Sequence, residues 1–240
     1  MMILWFINTS NMHMWAGSMI IVIGGTKGGS GKTLLATNLT VMRAEQSRDV
    51  LLIDSDEQAS ATLFTRQRTQ TKGTAGYTLI QSFEADVVEQ VRNLKPKYDD
   101  IVIDVGGRDT ASQRAALVVA EIFVMPFAPT SVDLWTDDNV ITLMKEAQPF
   151  NPNLCAYAVI NKAFPSGSDN LDAAKMLQEH PDYWNYLETP IGNRKAFSTA
   201  FGRGLAVSEL IPRDPKALTE MRALFVRSFQ QKDYSRPGKE

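Results

Sequence analysis

The segment from Ile20 to Thr33 constrains the fold of this chain more than any other part of its sequence. Four apolar residues, Ile20 to Ile23, lead into a glycine-rich turn and then into a helical pattern that begins near Lys32. Glycines in such a turn let the backbone N–H groups point inward, and the start of the following helix adds its dipole. This order of strand, loop and helix predicts a P-loop, which is a cradle for phosphate groups.

The loop residues have distinct predicted roles. Lys32 is expected to lie along the β- and γ-phosphates, and the Thr33 hydroxyl is expected to bind Mg²⁺. In the pattern G-x-x-x-x-G-K-[ST], Thr26 takes the place of the first glycine, and a second lysine, Lys27, precedes the later glycines. The residues predicted to line the phosphate cradle are Gly28, Gly29, Ser30, Gly31, Lys32 and Thr33.

Two further apolar runs end in acidic residues. Val50 to Ile53 is followed by Asp54 and Asp56, and Ile101 to Ile103 is followed by Asp104 and two glycines. Runs that are apolar throughout are typical of strands buried on both faces in a parallel sheet, and ligands bind at the carboxyl ends of such strands. Asp104 is therefore predicted to be a Walker B carboxylate, which holds Mg²⁺ through water.

Strand and helix patterns alternate along most of the chain. They predict an α/β fold of the P-loop NTPase type: a doubly wound, mainly parallel, twisted sheet with helices on both faces. Residues 19–230 are interpreted as one domain, residues 1–18 as a leader or extension outside the fold, and residues 231–240 as a polar tail. The last helix, from Pro215 to about Gln230, carries an apolar stripe that is interpreted as core packing, with a membrane-binding face as the alternative.

Composition narrows the function classes. The 240 residues carry a formal net charge of −2, so no global basic field directs the chain to nucleic acid. The single cysteine, Cys155, excludes a disulfide framework and a cysteine-rich metal site within one chain. No apolar run approaches the roughly 18 residues of a membrane span. These features favour a cytoplasmic protein.

Asn161 and Lys162 follow a predicted strand from Leu154 to Ile160 and are similar to the guanine-reading box N-K-x-D. Phe164 stands where that box has its aspartate, so the acceptor that selects guanine is missing. The nucleotide is therefore predicted to be ATP, with Asn161 among the residues that bind it.

Three nucleotide motifs carry a resemblance to a known family. They are Lys27-Gly-Gly-x-Gly-Lys32-Thr33, Asp54-x-Asp56-x-Gln58 and Ile103-Asp104. Together they resemble the ParA/MinD superfamily of deviant-Walker P-loop ATPases, and they are most similar to the small, ParF-like ParA partition proteins. Segments from Pro126 to Leu134 and from Arg194 to Glu209 are also similar to that branch, so the resemblance extends from Met19 to about Phe229.

The resemblance implies roles for individual residues. In this family the early lysine, here Lys27, reaches across an ATP-dependent homodimer to the nucleotide of the other subunit. Asp56 matches the acid that orients the attacking water, and Asp54 matches a carboxylate that supports the Mg²⁺ shell. The implied catalytic residues are Lys27, Lys32 and Asp56, and the implied metal-binding residues are Thr33, Asp54 and Asp104.

The resemblance also implies a function. Family members hydrolyse ATP weakly, bind DNA without sequence preference in the ATP state, and release it when a small DNA-binding adaptor stimulates hydrolysis. A partition ATPase of this kind is expected to be nucleoid-associated, without stable membrane association. A local excess of basic residues between Gly192 and Arg222 supports DNA contact, and the candidate residues are Arg194, Lys195 and Arg203.

Three alternatives remain open at the level of sequence. The first is a MinD-like membrane switch anchored by the last helix or by residues 1–18. The second is a conjugation-linked positioning ATPase with the same motifs. The third is a small-molecule enzyme on this fold, such as a ligase or a reductase subunit. Against the third, the sequence offers no acid, base and nucleophile for a second substrate, and an iron–sulfur dimer would need two cysteines from each chain.

Overall fold

The computed structural model describes residues 18–107, 111–131 and 134–229, excluding the side chains of residues 131 and 134–137. Seven strands lie within this part of the chain. Their bounds are β1 Met19–Ile23, β2 Val50–Ser55, β3 Thr78–Gln81, β4 Asp100–Val105, β5 Ile122–Phe127, β6 Cys155–Ala163 and β7 Asn185–Gly192. The four apolar runs predicted above to be strands correspond to β1, β2, β4 and β6.

The strands form one sheet in the order β3-β2-β4-β1-β5-β6-β7, and every pair of neighbours is parallel. β1 lies between β4 and β5 near the centre of the sheet. The register places Ile23 beside Asp104, and Asp104 beside Asp54. Because all strands point the same way, the P-loop and both acidic strand ends meet at one edge, which we call the ligand edge.

Helices cover both faces of the sheet. The helices in the described ranges are α1 Lys32–Ala44, α2 Ser60–Lys72, α3 Asp86–Leu94, α4 Ala111–Val119, α5 Leu134–Ala147, α6 Asp169–Gln178, α7 Lys195–Gly202 and α8 Pro215–Phe229. Core residues of α3 to α6 pack on one face, and those of α1, α2, α7 and α8 pack on the other. The wholly apolar strands are buried because each has a helical layer on both sides.

The predicted doubly wound fold is confirmed, with differences in two elements. β6 does not end at Ile160: it continues to Ala163, so Asn161 and Lys162 lie inside the strand, where its pairing with β7 is irregular. α7 was not predicted, because its eight residues are too few to show a helical period. The leader proposed for residues 1–18 falls almost wholly outside the described residues, and the tail proposed for residues 231–240 falls outside them entirely.

The apolar stripe of α8 packs in the core, as interpreted from the sequence. Its members are buried beneath the sheet face that also carries α1: Leu218, Met221, Leu224, Phe225 and Phe229. The stripe is therefore not exposed for contact with a membrane surface. No helix in the described ranges combines the length and the apolar character that crossing a membrane requires.

Candidate functional site

The P-loop joins β1 to α1 at the ligand edge. The amide of Gly24 donates to the carbonyl of Val124 on β5, and the amide of Gly25 donates to Gln113 Oε1 on α4. Gly31 ends the loop as the N-cap of α1, with a left-handed φ of 94° that glycine adopts without strain. The loop is therefore fixed at both ends, and the N-terminus of α1 opens towards it.

Lys32 lies against the loop it belongs to. Its Nζ donates a hydrogen bond of 2.6 Å to the carbonyl of Lys27, and the residue is only 6% exposed. Burial lowers the pKa of Lys32, while the negative charges of Asp104 and Asp56 act in the opposite direction. A buried ammonium beside two carboxylates lies where the terminal phosphates of a nucleotide are predicted to bind.

Asn161 and Lys162 hold the loop from β6. The side-chain nitrogen Nδ2 of Asn161 donates to the carbonyl of Ser30 at 2.6 Å, and Lys162 Nζ donates to the carbonyl of Gly29, also at 2.6 Å. A Cβ atom on Gly31 would lie 2.2 Å from Asn161 Nδ2, so this contact requires glycine there. The sequence predicted a nucleotide contact for Asn161; the contact seen is with the backbone of the P-loop.

Asp104 is the buried carboxylate at the end of β4. It is fully buried at the end of β4, and neither oxygen accepts a hydrogen bond of normal geometry within the described part of the chain. Burial raises the pKa of Asp104 to about 8; the Thr33 hydroxyl lies close enough to oppose this rise, whereas Asp54 adds to it. An unpaired buried carboxylate is costly, which points to an absent cationic partner.

Asp54 is also fully buried, but its hydrogen bonds are made within the protein. One oxygen accepts from both the backbone N–H and the hydroxyl of Thr62, at 2.8 and 2.6 Å. The other oxygen accepts from the amide of Asp56 at 3.3 Å. Asp54 therefore holds the first turn of α2 against the end of β2. If it supports a metal ion, it does so while both of its oxygens keep these hydrogen bonds.

Asp56 stands at the entrance to the site. It is partly exposed, and one oxygen accepts the amide of Gln58 at 3.0 Å. The turn after β4 closes on the loop from the same side: a Cβ on Gly107 would lie 2.6 Å from the Cα of Gly28, and one on Gly106 would lie 3.5 Å from Asp56 Oδ1. The close approach to Gly28 requires glycine at position 107, whereas a Cβ on Gly106 would make only ordinary van der Waals contact with Asp56.

The residues present fit a magnesium–nucleotide complex. Among the described residues, no group of three or more His, Cys, Asp or Glu side chains could hold a metal ion by itself. Mg²⁺ usually keeps several waters and binds one or two carboxylates together with substrate phosphates. Asp104, with its unpaired oxygens, and the nearby Thr33 hydroxyl meet that requirement, so the site suits Mg²⁺ that arrives with a nucleotide.

The three candidate DNA-binding residues lie on or beside α7, in different environments. Arg194 pairs with Glu220 of α8: Nε lies 2.9 and 3.1 Å from the two carboxylate oxygens. Its charge is therefore balanced within the protein. Lys195 and Arg203 are exposed at the two ends of α7. The Arg194 side chain, 30% exposed, also reaches solvent, so the three differ in charge pairing and not in access.

A P-loop on the central strand of a parallel sheet, with a buried carboxylate at the end of the adjacent strand, defines a P-loop nucleotide-binding protein. Residues 21–207 match the CobQ/CobB/MinD/ParA nucleotide-binding domain. The chain belongs to this family, which confirms the resemblance to the ParA/MinD superfamily.

Three similar proteins illustrate the relationship. The maintenance of carboxysome distribution protein A of Halothiobacillus neapolitanus is 24% identical over 204 residues, which are 84% of this chain and 92% of that protein. A complex of McdA with ATP from Cyanothece has a TM-score of 0.70 at 17% identity, covering 91% of this chain and 100% of that one. A plasmid partition protein from Borrelia burgdorferi bound to AMPPNP has a TM-score of 0.69 at 18% identity, and the match covers 90% of this chain and 100% of that one.

Proposed function

We propose that this chain is an ATP-hydrolysing switch of DNA partition, which dimerises on ATP and binds DNA without sequence preference in that state. The observation that carries the proposal is the buried carboxylate of Asp104, whose oxygens accept no hydrogen bond of normal geometry from the described residues, beside Thr33 and a P-loop. These groups suit a magnesium–triphosphate, and the family is a nucleotide-binding one. Hydrolysis would then return the protein to a state that releases DNA.

Each residue of the site has a part in this proposal. The P-loop amides and Lys32 bind the phosphates, and Asp56 orients the attacking water from its partly exposed position at the entrance. Asp54, held by Thr62, keeps the start of α2 in register with the site. Mg²⁺ bound by Thr33 and Asp104 would neutralise charge on the transferred phosphoryl group.

Lys27 is assigned to the second subunit of the dimer. A lysine that reaches the nucleotide of the facing chain would neutralise phosphate oxygens in a water-poor interface, as an arginine finger does. The nucleotide would then join the two subunits, so the ATP state and the assembly state would change together.

Dimerisation tests the proposal most directly. We expect Mg²⁺-ATP, but not Mg²⁺-ADP, to convert the monomer to a dimer in light scattering and to cause retention of random duplex DNA at low salt. Lys27→Ala should still bind ADP yet fail to dimerise, whereas Lys32→Ala should lose nucleotide binding itself. Glu57→Gln, which removes an exposed charge at the same edge, serves as the control. An ATP-bound protein that stays monomeric would contradict the proposal.

A second candidate concerns the cargo. The similarity to the carboxysome distribution protein of Halothiobacillus neapolitanus favours the same cycle used to position a body other than DNA, such as a protein assembly. A plasmid-loss assay separates the two, because deletion of the gene should destabilise a plasmid only if the cargo is DNA. In either case an adaptor protein, bound to the cargo, would stimulate hydrolysis.

The buried stripe of α8 gives no support to the MinD-like alternative, and liposome flotation with ATP should leave the protein unbound.

A further inference from the structure

We infer that Lys162 is a positioning residue for nucleotide binding: it fixes the direction of a P-loop amide without touching the nucleotide. The inference rests on the proposed function, since it concerns the same nucleotide site. Two observations carry it. Lys162 Nζ donates to the carbonyl of Gly29 at 2.6 Å, and the backbone of Lys162 has a φ of 59°, in the left-handed region.

The planarity of the peptide bond links that contact to the phosphate site. In a trans peptide the carbonyl of one residue and the N–H of the next point in opposite directions within one rigid plane. A bond that holds the carbonyl of Gly29 therefore also sets the direction of the amide of Ser30. In the same way, the bond from Asn161 to the carbonyl of Ser30 sets the direction of the amide of Gly31.

Lys162 matters because the third such bond is expected to be temporary. Lys32 holds the carbonyl of Lys27 in this structure, but its ammonium is expected to turn to the phosphates once a nucleotide binds. Among the described residues, the bonds from Asn161 and Lys162 of β6 would then be the remaining hydrogen bonds from side chains to carbonyls of the loop. A loop whose amides are already oriented loses less entropy on binding a polyanion.

The backbone of Lys162 departs from regular strand geometry in the way this function needs. A left-handed conformation is unfavourable for a residue with a Cβ, and such residues cluster at functional sites. The pairing of β6 with β7 is irregular on both sides of Asn161, and irregular pairing of this kind re-aims side chains. Here it brings two consecutive side chains of β6 to two consecutive carbonyls of the loop.

The strained backbone makes a clean experiment possible. In Lys162→Gly the ammonium is lost while the left-handed strain is relieved, so the fold should become no less stable. We expect its Tm without nucleotide to equal or exceed that of the unchanged protein. We expect the Kd values for ADP and for a non-hydrolysable ATP analogue to rise by a similar factor, about fivefold to tenfold, because a charge-assisted hydrogen bond is lost.

Two further variants complete the test. Ser47 has the same φ of 59° and lies after α1, away from the ligand edge, so Ser47→Gly relieves the same kind of strain without changing either Kd. Lys162→Arg keeps a cationic donor and should bind nucleotide within about threefold of the unchanged protein.

The inference is wrong if Lys162→Gly binds both nucleotides normally, if only the ATP analogue loses affinity, if its Tm falls, or if the arginine variant binds as weakly as the glycine variant. Failure of the proposed function would be distinct, because the unchanged protein would then bind neither nucleotide.

Discussion

At the scale of single residues, Asp104 links the ionisation of one carboxyl group to the stability of the fold. Burial raises its pKa to about 8 from an ordinary value of 3.8, so the folded protein holds this proton at pH values where the unfolded chain has lost it. The contribution of this proton to the free energy of unfolding is therefore complete below about pH 4. It is lost as the pH rises through the folded-state pKa of about 8. A cation bound at Asp104 would remove this penalty, because it favours the ionised form.

Asp104→Asn separates the stability of the fold from binding. The amide cannot ionise, so we expect the nucleotide-free variant at pH 8 to melt about 5 °C or more above the unchanged protein. The difference between the two proteins should shrink as the pH falls towards 5. The variant should also lose the additional Tm shift that Mg²⁺ produces with ATP. Thermal melts between pH 5 and pH 8, with Glu57→Gln as a control, measure both effects; equal melting temperatures at pH 8 would contradict the expectation.

The sequence predicted the residues of this site better than their contacts. Lys32, Thr33 and Asp104 could be located because a P-loop and an apolar strand that ends in an acid have fixed spacings and a fixed order along the chain. The bond between Lys162 and Gly29 could not be predicted, because it depends on a left-handed residue within β6 and joins positions 133 residues apart. The balanced charge of Arg194 was also hidden, since its partner Glu220 belongs to a different helix.

At the scale of elements, one ion pair fastens α2 to the segment between α7 and α8. Arg68 of α2 donates to both oxygens of Glu209, at 2.6 and 3.1 Å, and their side chains are 7% and 8% exposed. Burial alone would raise the pKa of Glu209, but hydrogen bonds from Arg68 and from the amide of Ala206 hold it below its ordinary value. The helix that follows Asp54 and Asp56 is thus tied to the region that contains α7.

Breaking this pair should be costly, and removing both partners should be much less so. Arg68→Met leaves Glu209 buried with the half-exposed Lys72, at 3.4 Å, as its one remaining ionic partner among the described residues, and we expect a loss of about 3 kcal/mol in the free energy of unfolding. The double variant with Glu209→Leu should recover most of that loss, because the charge it leaves behind, that of Lys72, is exposed to solvent. Urea unfolding measures the difference, and Lys175→Met, at an exposed pair with Asp172, should change stability by less than about 0.5 kcal/mol.

The elements themselves follow closely from sequence period and composition. Helix α1 begins at Lys32, as the pattern predicts, because apolar residues such as Leu35, Leu39 and Met42 recur at helical spacing. β6 is longer than predicted because polar residues at its end are held by the P-loop rather than by the apolar core. A pattern of apolar residues carries no information about such contacts.

At the scale of the whole molecule, the parallel topology brings the proposed nucleotide and DNA sites to one side. The amide of Asn193 donates to the carbonyl of Ala163, so α7 begins beside the end of β6, the strand that holds the P-loop. Lys195 lies in the first turn of α7 at the ligand edge, and Arg203 lies at the other end of that helix. A change of nucleotide state could therefore reach α7 through β6 as well as through the bond between Arg68 and Glu209.

The salt dependence of DNA retention tests the contribution of α7. In the ATP state, the double variant Lys195→Ala with Arg203→Ala should bind duplex DNA more weakly than the unchanged protein, whatever the DNA sequence. The magnitude of the slope of log K against log salt concentration should decrease by about 0.9 for each phosphate that the variant no longer neutralises, because fewer counterions are released.

The matched control is Lys97→Ala with Lys175→Ala, which removes the same charge from exposed positions before β4 and on α6. Gel-shift titrations from about 50 to about 200 mM salt should show an unchanged slope for the control. If both double variants lost affinity equally, net charge rather than α7 would account for DNA binding.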